Sequence, residues 1–443
     1  MSDYGAKIGL EIIFNFGMAD IYLSVDVGGS QTKIIYQLSG SESPDKLVFA
    51  PAVEEIPAAF LDNYKERKGW IGSPHPDQEL WVTWNNRVVV LGDFASKFDP
   101  QDRLGELKYE NALWKVLGAI GLIMEINELK VSPKKPLKVE LALLLPWNEY
   151  NDRKKFEEQL RKMLASFKVR SLSLKVSLER FLCRPEGGGL AALRIKQKGV
   201  DWLRNQKLGV LMFGHRNTTA LYFDRGELKL GDSPLLGFAV LLDMVVSMTS
   251  GLDRERLASA IFKARYALID EIYSSTEYHT YTRRPKWSNC NAIKALASAK
   301  DPDLRDKEIQ DIGNAISTAT SEYWSKLERW MKKVFPLELD SVIIGGGAAY
   351  YIEPELENYF NCEPETKEKF TYTSLRVRTG RYQVKNSNKH FTPMIWGSGF
   401  QDVVKQTFDL DNDQFSEQCT VQRLVDCFGL FDYLVGLEVK TNG

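Results

Sequence analysis

Only five of the 443 residues are cysteine, at 183, 290, 362, 419 and 427, and no two form a C-x-x-C pair. A scattered, odd-numbered set disfavours both a disulfide framework and a structural zinc site, and reads as reduced cytosolic thiols. Histidine is scarcer still: His75, His215, His279 and His390 stand far apart, with no H-x-x-x-H or H-x-E spacing, which argues against a catalytic transition metal. Excess charge of one sign is missing too, since 58 Lys and Arg face 59 Asp and Glu. Such a balance leaves no net field to hold nucleic acid, so any route to DNA runs through a partner protein. No apolar run reaches the ~18–20 residues of a membrane span, and the strongest candidate, 235–248, contains Asp243. Residues 1–20 carry one lysine, Lys7, and a short apolar run without a cleavage-type ending. They do not read as an export signal and are expected to be an N-terminal extension. A cytoplasmic protein is expected, with no membrane contact and no direct nucleic-acid contact.

What remains is the composition of an ordinary globular protein, 44% apolar and 26% charged. At about 100–200 residues per domain, the length predicts two to four domains. The apolar run Ile21–Val27, a glycine turn and a β-branched run at 33–38 predict a hairpin with Gly28-Gly29-Ser30-Gln31-Thr32 at its tip. Beyond it Pro, Gly, Ser and charge mix, and two apolar runs flank Asn85-Asn86, a two-residue hairpin signal. An insertion subdomain is therefore expected at about 40–104. Helices are expected at 105–129, 151–167 and 190–206, with strands at 137–145 and 172–178 and a breaker cluster at 184–189. A second strand-turn-strand set at 208–223 repeats the opening. It is followed by a mostly helical stretch, with an insertion at about 232–303, then a long helix at 304–335 and a short strand at 341–344. Residues 374–443 show no clear period. Two α/β halves with a cleft between them follow, lobe I at 21–205 and lobe II at 206–435, with a tail at 436–443.

The sharpest motif is Asp26-Val27-Gly28-Gly29-Ser30-Gln31-Thr32-Lys33. Glycines let backbone N–H groups approach phosphate oxygens, Ser30, Gln31 and Thr32 add donors, and Lys33 adds positive charge. Asp26 stands where a carboxylate can hold the water shell of Mg²⁺. An ordinary glycine hairpin with a capping Asp is the alternative. Phe213-Gly214-His215-Arg216-Asn217-Thr218-Thr219 is a second candidate phosphate hairpin, with Gly214, His215, Asn217 and Thr218 as binding positions, or else a polar surface turn. Strand 341–344 runs into Gly345, Gly346 and Gly347, where bare backbone can seat a flat base or sugar, or allow close helix packing. A dinucleotide fingerprint fails there because its third glycine falls at Tyr350. Glu186, in the turn Pro185-Glu186-Gly187, is a candidate for positioning an attacking water, or for complementing a helix dipole.

The order of these parts resembles the actin-like ATPase superfamily, and within it the bacterial plasmid-segregation actins of the ParM type, over about residues 20–435. The resemblance implies a two-lobed α/β actin-like ATPase fold with a nucleotide cleft between the lobes and small insertion subdomains. By it, 26–33 and 213–219 would be the two phosphate loops, Gly345 to Gly347 the adenosine loop, Glu186 the hydrolysis-linked carboxylate and 423–431 the second connection between lobes. ATP or GTP with Mg²⁺ as cofactor, a homopolymeric filament, a DNA-binding adaptor and a role in plasmid segregation are implied with it. The family's Asp two residues before the second-loop glycine is Met212 here, so slow hydrolysis is expected. Arg256, in the run 253–257, is a candidate for packing on adenine, or lies on a solvated helix face. A pantothenate- or sugar-type kinase is the main rival, since its phosphate loop is similar to 26–33; a nucleotide-gated chaperone is disfavoured.

Overall fold

The computed structural model describes residues 19–68, 75–98, 108–130, 135–274, 286–360, 392–410 and 415–441. Residues 1–18 of the expected N-terminal extension, Cys362, His279 and His390 lie outside them. The chain runs β1 (Ile21–Val27), β2 (Thr32–Leu38), β3 (Asp45–Phe49), β4 (Val53–Ile56), α1 (Ala58–Lys68), β5 (Leu80–Trp84), β6 (Arg87–Leu91), α2 (Asp93–Ser96), α3 (Lys108–Ile126), β7 (Leu137–Leu145), α4 (Trp147–Tyr150), α5 (Arg153–Leu164), β8 (Phe167–Val169), β9 (Leu172–Leu174), β10 (Val176–Pro185), α6 (Gly188–Lys198) and α7 (Val200–Arg204). It continues with β11 (Lys207–Phe213), β12 (Thr218–Asp224), β13 (Glu227–Asp232), α8 (Phe238–Met248), α9 (Arg254–Ser274), α10 (Asn291–Lys294), α11 (Pro302–Val334), β14 (Ser341–Gly345), α12 (Glu353–Phe360), β15 (Met394–Trp396), α13 (Gln401–Phe408) and α14 (Phe415–Thr441).

Two of the sheets share one topology. The first has the order β10-β7-β1-β2-β3, the second β15-β14-β11-β12-β13. In each, three strands form an antiparallel meander and two further strands add in parallel beside the first. Parallel additions require crossovers, and the intervening helices cover both sheet faces, which is why β1, β7, β11 and β14 read as almost unbroken apolar runs. The period of two still sorts their side chains. Ile21, Leu23, Val25 and Val27 enter the core built with α3 and α5, while Tyr22 enters the core shared with α6 and α14. Ser24, on the α14 face, donates from Oγ to the Cys427 carbonyl at 3.0 Å.

The third sheet, β4-β6-β5-β8-β9, is antiparallel throughout and corrects the expected insertion boundaries. Its strands β8 and β9 come from 167–174, while β3, inside the expected 40–104, belongs to the first sheet. Asn85 and Asn86 take φ of 47° and 63°, the left-handed pair that a two-residue hairpin demands. The expected helix 190–206 breaks at Gly199, where φ is 86°, and the expected strand 172–178 divides into β9 and the start of β10. The expected tail 436–443 is helical through Thr441. Nor does all of 206–435 stay with the second sheet: α14 returns to pack on α6, β1, β2 and β7.

Backbones touch where α6 and α14 cross. A Cβ on Gly189 would stand 1.9 Å from the Asp426 carbonyl oxygen, and one on Gly429 would stand 2.2 Å from the Gly189 carbonyl oxygen. Alanine at Gly429 would gain roughly 1 kcal/mol of helix propensity, but it forces the helices apart. Overpacking of that kind costs about 1–3 kcal/mol, and more against rigid backbone. Gly189→Ala and Gly429→Ala are each expected to destabilise the protein, read as a lower urea midpoint at unchanged m-value.

Candidate functional site

The two meanders point their first hairpin tips at each other. A Cβ on Gly29 would meet Arg216 Cβ at 3.3 Å and His215 Cδ2 at 3.7 Å, so the tip of the first sheet lies against the tip of the second. Behind the second tip, the carbonyls of Gly214, His215 and Arg216 accept from the N–H groups of Phe238, Ala239 and Gly237 at 2.9–3.0 Å. Those bonds tie the loop to the start of α8. The third motif closes the arrangement: Gly346 takes φ of 91° and would clash at 2.2 Å with the Phe213 carbonyl oxygen if it carried a side chain. The candidate segments 28–32, 213–217 and 345–347 thus converge on one place, although up to 319 positions separate them (347 − 28).

Charge collects on the floor between the tips. Asp26 and Lys33 face each other across the β1–β2 register and form an ion pair, with both residues buried. Lys108 Nζ donates to Glu186 Oε1 at 2.6 Å, and Thr219 Oγ1 donates to the other Glu186 oxygen at 3.1 Å. Glu186 therefore joins α3 of the first half to β12 of the second. Glu149, just past β7, accepts from the Tyr109 N–H at 2.9 Å and lies 3.5 Å from Arg216 of the second tip. Several polar atoms have no partner: Thr32 Oγ1, Arg216 Nε and Asn217 Oδ1 are buried and unsatisfied. Thr32 Oγ1 and Arg216 Nε are donors and Asn217 Oδ1 an acceptor; buried donors normally find acceptors, so a ligand bearing oxygen acceptors would suit the first two.

Some expected contacts are absent. The Asn217 amide donates to the Ser233 carbonyl at 3.1 Å, and Thr218 Oγ1 donates to the Leu236 carbonyl at 2.7 Å. Their donors hold the 233–236 segment to the start of β12 and are engaged there. Arg256 is exposed on α9, within 3.4 Å of the Ala295 carbonyl. On that helix Arg265 is the residue turned inward, lying 3.3 Å from the Tyr350 carbonyl and 3.5 Å from Glu353. Met212 is buried and pairs with Thr219 and Gly345.

Residues of the segment 423–431, expected only as the second connection between lobes, also enter the site. Arg423 on α14 donates to Gln31 Oε1 at 3.1 Å, and its Nε lies 3.6 Å from where a Gly347 Cβ would stand, so it spans the first and third motifs. Asp426, one turn on, lines a small cavity of about 10 Å³ together with Met212, Gly345, Gly346 and Tyr350. It accepts from the Gly187 N–H at 2.7 Å and the Leu190 N–H at 3.0 Å, which caps α6 from a different helix. The available signal for Lys108 and Lys115 was two lysines seven apart in an otherwise apolar helix; for Asp426 it was an acid in the apolar run 424–431.

No protein-family model matches the chain, and no curated protein does. Solved structures resemble it at low identity. An Alp12 filament structure is 14% identical, with 95% of this chain and 100% of that chain covered at a TM-score of 0.46. Bacillus thuringiensis ParM with AMPPNP is 12% identical, with 93% and 98% covered at 0.47. An archaeal actin homolog is 12% identical, with 94% and 98% covered at 0.46. The two sheets of like topology give the two α/β halves that the repeated hairpins led one to expect.

Desolvation pushes the Asp426 carboxyl from 3.8 up to about 7; the Gly187 and Leu190 N–H groups oppose this, while Asp26 and Glu186 add to it. Between about pH 4, where the unfolded group ionises, and about pH 7, the folded state holds the extra proton. This group's contribution to stability therefore falls as pH rises through that window. Asp426→Asn is expected to remove that fall, seen in the difference between wild-type and variant melting temperatures from about pH 4.5 to 7.5. Asp426→Ala is expected to lower stability by about 1–2 kcal/mol through the lost cap.

Proposed function

We propose that this chain is a nucleotide-dependent, filament-forming actin-like ATPase of the ParM type, acting in plasmid DNA segregation through a DNA-binding adaptor. The observation that carries the nucleotide reading is the face-to-face approach of the two glycine hairpins, with unsatisfied Thr32 and Arg216 donors between them. Filament formation and segregation rest on the order of motifs along the chain; the cytoplasmic location rests on the scattered cysteines and on residues 1–20 not reading as an export signal.

The residues fit a triphosphate with Mg²⁺. Gly28 to Thr32 and Gly214 to Arg216 supply backbone and side-chain donors for phosphate oxygens, and Lys33 supplies charge. Gly345, Gly346 and Gly347 would seat the nucleoside, with Arg423 bridging that turn to the first loop. Asp26 would hold the metal through water, in competition with the Lys33 ammonium that now neutralises it. When bound, the ion would offset charge that develops on the phosphates. Glu186 and Glu149 are the two carboxylates placed to orient an attacking water. Glu186 is held by Lys108 and Thr219, whereas Glu149 has its contacts to the Tyr109 N–H and Arg216. Catalysis of phosphoryl transfer asks for such positioning rather than covalent chemistry. Met212 leaves the second loop without a carboxylate, and Asp426, in the same cavity, is committed to capping α6. Hydrolysis is accordingly proposed to be slow.

Pelleting and light scattering on Mg-ATP addition are expected to show assembly that reverses as nucleotide is consumed. A monomeric solution at high concentration, with ATP turnover dependent on a small-molecule acceptor, would favour the kinase instead. Asp26→Ala is expected to abolish nucleotide-linked assembly. Glu186→Gln and Glu149→Gln, assayed separately, identify the water-positioning carboxylate as the one whose loss slows turnover about 100-fold while ATP affinity holds.

A further inference from the structure

Among the described residues, cations and carboxylates collect at the cleft floor, and three of each are matched: Lys33 with Asp26, Lys108 with Glu186, and Arg216 with Glu149; Arg423 is engaged with Gln31. Asp426 is satisfied by backbone. Lys115 is left over. It is only 5% exposed, and among the described residues it makes no hydrogen bond or ion pair. A largely buried ammonium without a protein counter-ion is a costly feature that apolar packing would remove, so its presence asks for a partner.

Geometry says where that partner would be. Lys115 lies two helical turns from Lys108, so both project from the same face of α3. Asp26, Lys33 and Lys108 all lie within electrostatic reach of it. The helix runs parallel to β2: Lys108 and Tyr109 at its start bond Glu186 and Glu149 beside the tips, and Asn127, just past its end, donates to Tyr36 Oη at 3.1 Å. Thr32, at the hairpin tip, lies four residues up the strand, about 13 Å, or about nine residues of helix. That distance puts the tip level with the part of α3 that carries Lys115. Thr32 shares its strand face with Ile34 and Tyr36, which pack in the core built with α3, and its buried hydroxyl has no partner. Two donors from different elements, neither paired within the protein, therefore lie at about the same level, within a helical turn of each other, near the base of the first glycine tip.

We propose that Lys115 and Thr32 form the subsite for the terminal phosphate of a nucleoside triphosphate and make the protein distinguish triphosphate from diphosphate. This rests on the cleft being the nucleotide site proposed above. An anionic oxygen there would supply the counter-charge that Lys115 lacks and an acceptor for the Thr32 hydroxyl. Burial, with Lys108 and Lys33 adding like charge against the opposing pull of Asp26, lowers the Lys115 pKa to about 7, as expected for an ammonium awaiting a counter-ion.

The test compares AMPPNP and ADP affinities, by calorimetry, for the wild-type chain, Lys115→Met and Thr32→Val, with nucleotide-free melting temperatures measured alongside. The expected result is that Lys115→Met weakens AMPPNP about tenfold or more, leaves ADP within about twofold, and raises the nucleotide-free melting temperature. Thr32→Val is expected to shift the AMPPNP-to-ADP ratio in the same direction by a smaller factor. If wild type binds both nucleotides and Lys115→Met keeps their ratio, the subsite is overturned while the cleft stands. A lowered melting temperature with equal loss of both ligands would make Lys115 structural and also overturn it. If wild type binds neither nucleotide, the cleft reading itself fails, and this proposal fails with it.

Discussion

The arrangement of this molecule depends on how closely two helices can cross. α6 leaves the end of the first sheet and α14 returns to it from the second. They meet backbone to backbone because Gly189 and Gly429 leave no side chain between them. That contact brings Asp426 onto the first turn of α6, where it binds two N–H groups that no local side chain caps. With the helices locked, both glycine hairpins are carried to one point, and the end of β14 comes to rest against Phe213.

Burial of charge is the second consequence. Bringing the tips together closes lysines and carboxylates into a region where an unmatched ion is expensive, so the site is organised as matched pairs across elements. Glu186 and Glu149 each reach from the first half to the second hairpin, which makes the same carboxylates that could orient water part of what holds the halves together. A ligand that adds negative charge between the tips necessarily redistributes those pairs. Relative placement of the two halves and occupancy of the cleft are therefore physically coupled, whatever the nucleotide.

Much of this was legible locally. The apolar runs at 21–27 and 208–213, the glycine tips and Asn85-Asn86 each announce their own backbone conformation, because hairpins and left-handed turns are decided by neighbours in sequence. The repeated order of hairpin, strand and glycine turn was enough to expect two similar halves. Boundaries that depend on distant partners were not legible: β8 and β9 join a sheet begun over a hundred residues earlier, and α14 packs with the half that the chain had left. Among site residues, those on glycine turns were found. Lys108, Lys115 and Glu149 were not, and Arg423 and Asp426 were placed only within the connecting segment 423–431, since each is a single polar residue on or beside an apolar element and looks like any other amphipathic position.

By itself, then, the amino-acid order determined the hairpins, their glycine tips and the balanced charge, all properties of short segments or of composition. Tertiary structure alone decided which donors remain available. Side chains such as Asn217 and Thr218 are spent on the 233–236 carbonyls while Thr32 and Lys115 stay unsatisfied. The physical reason is that a hydrogen bond or ion pair is made with whatever the fold brings within about 3 Å, and at this site those partners are supplied from far along the chain.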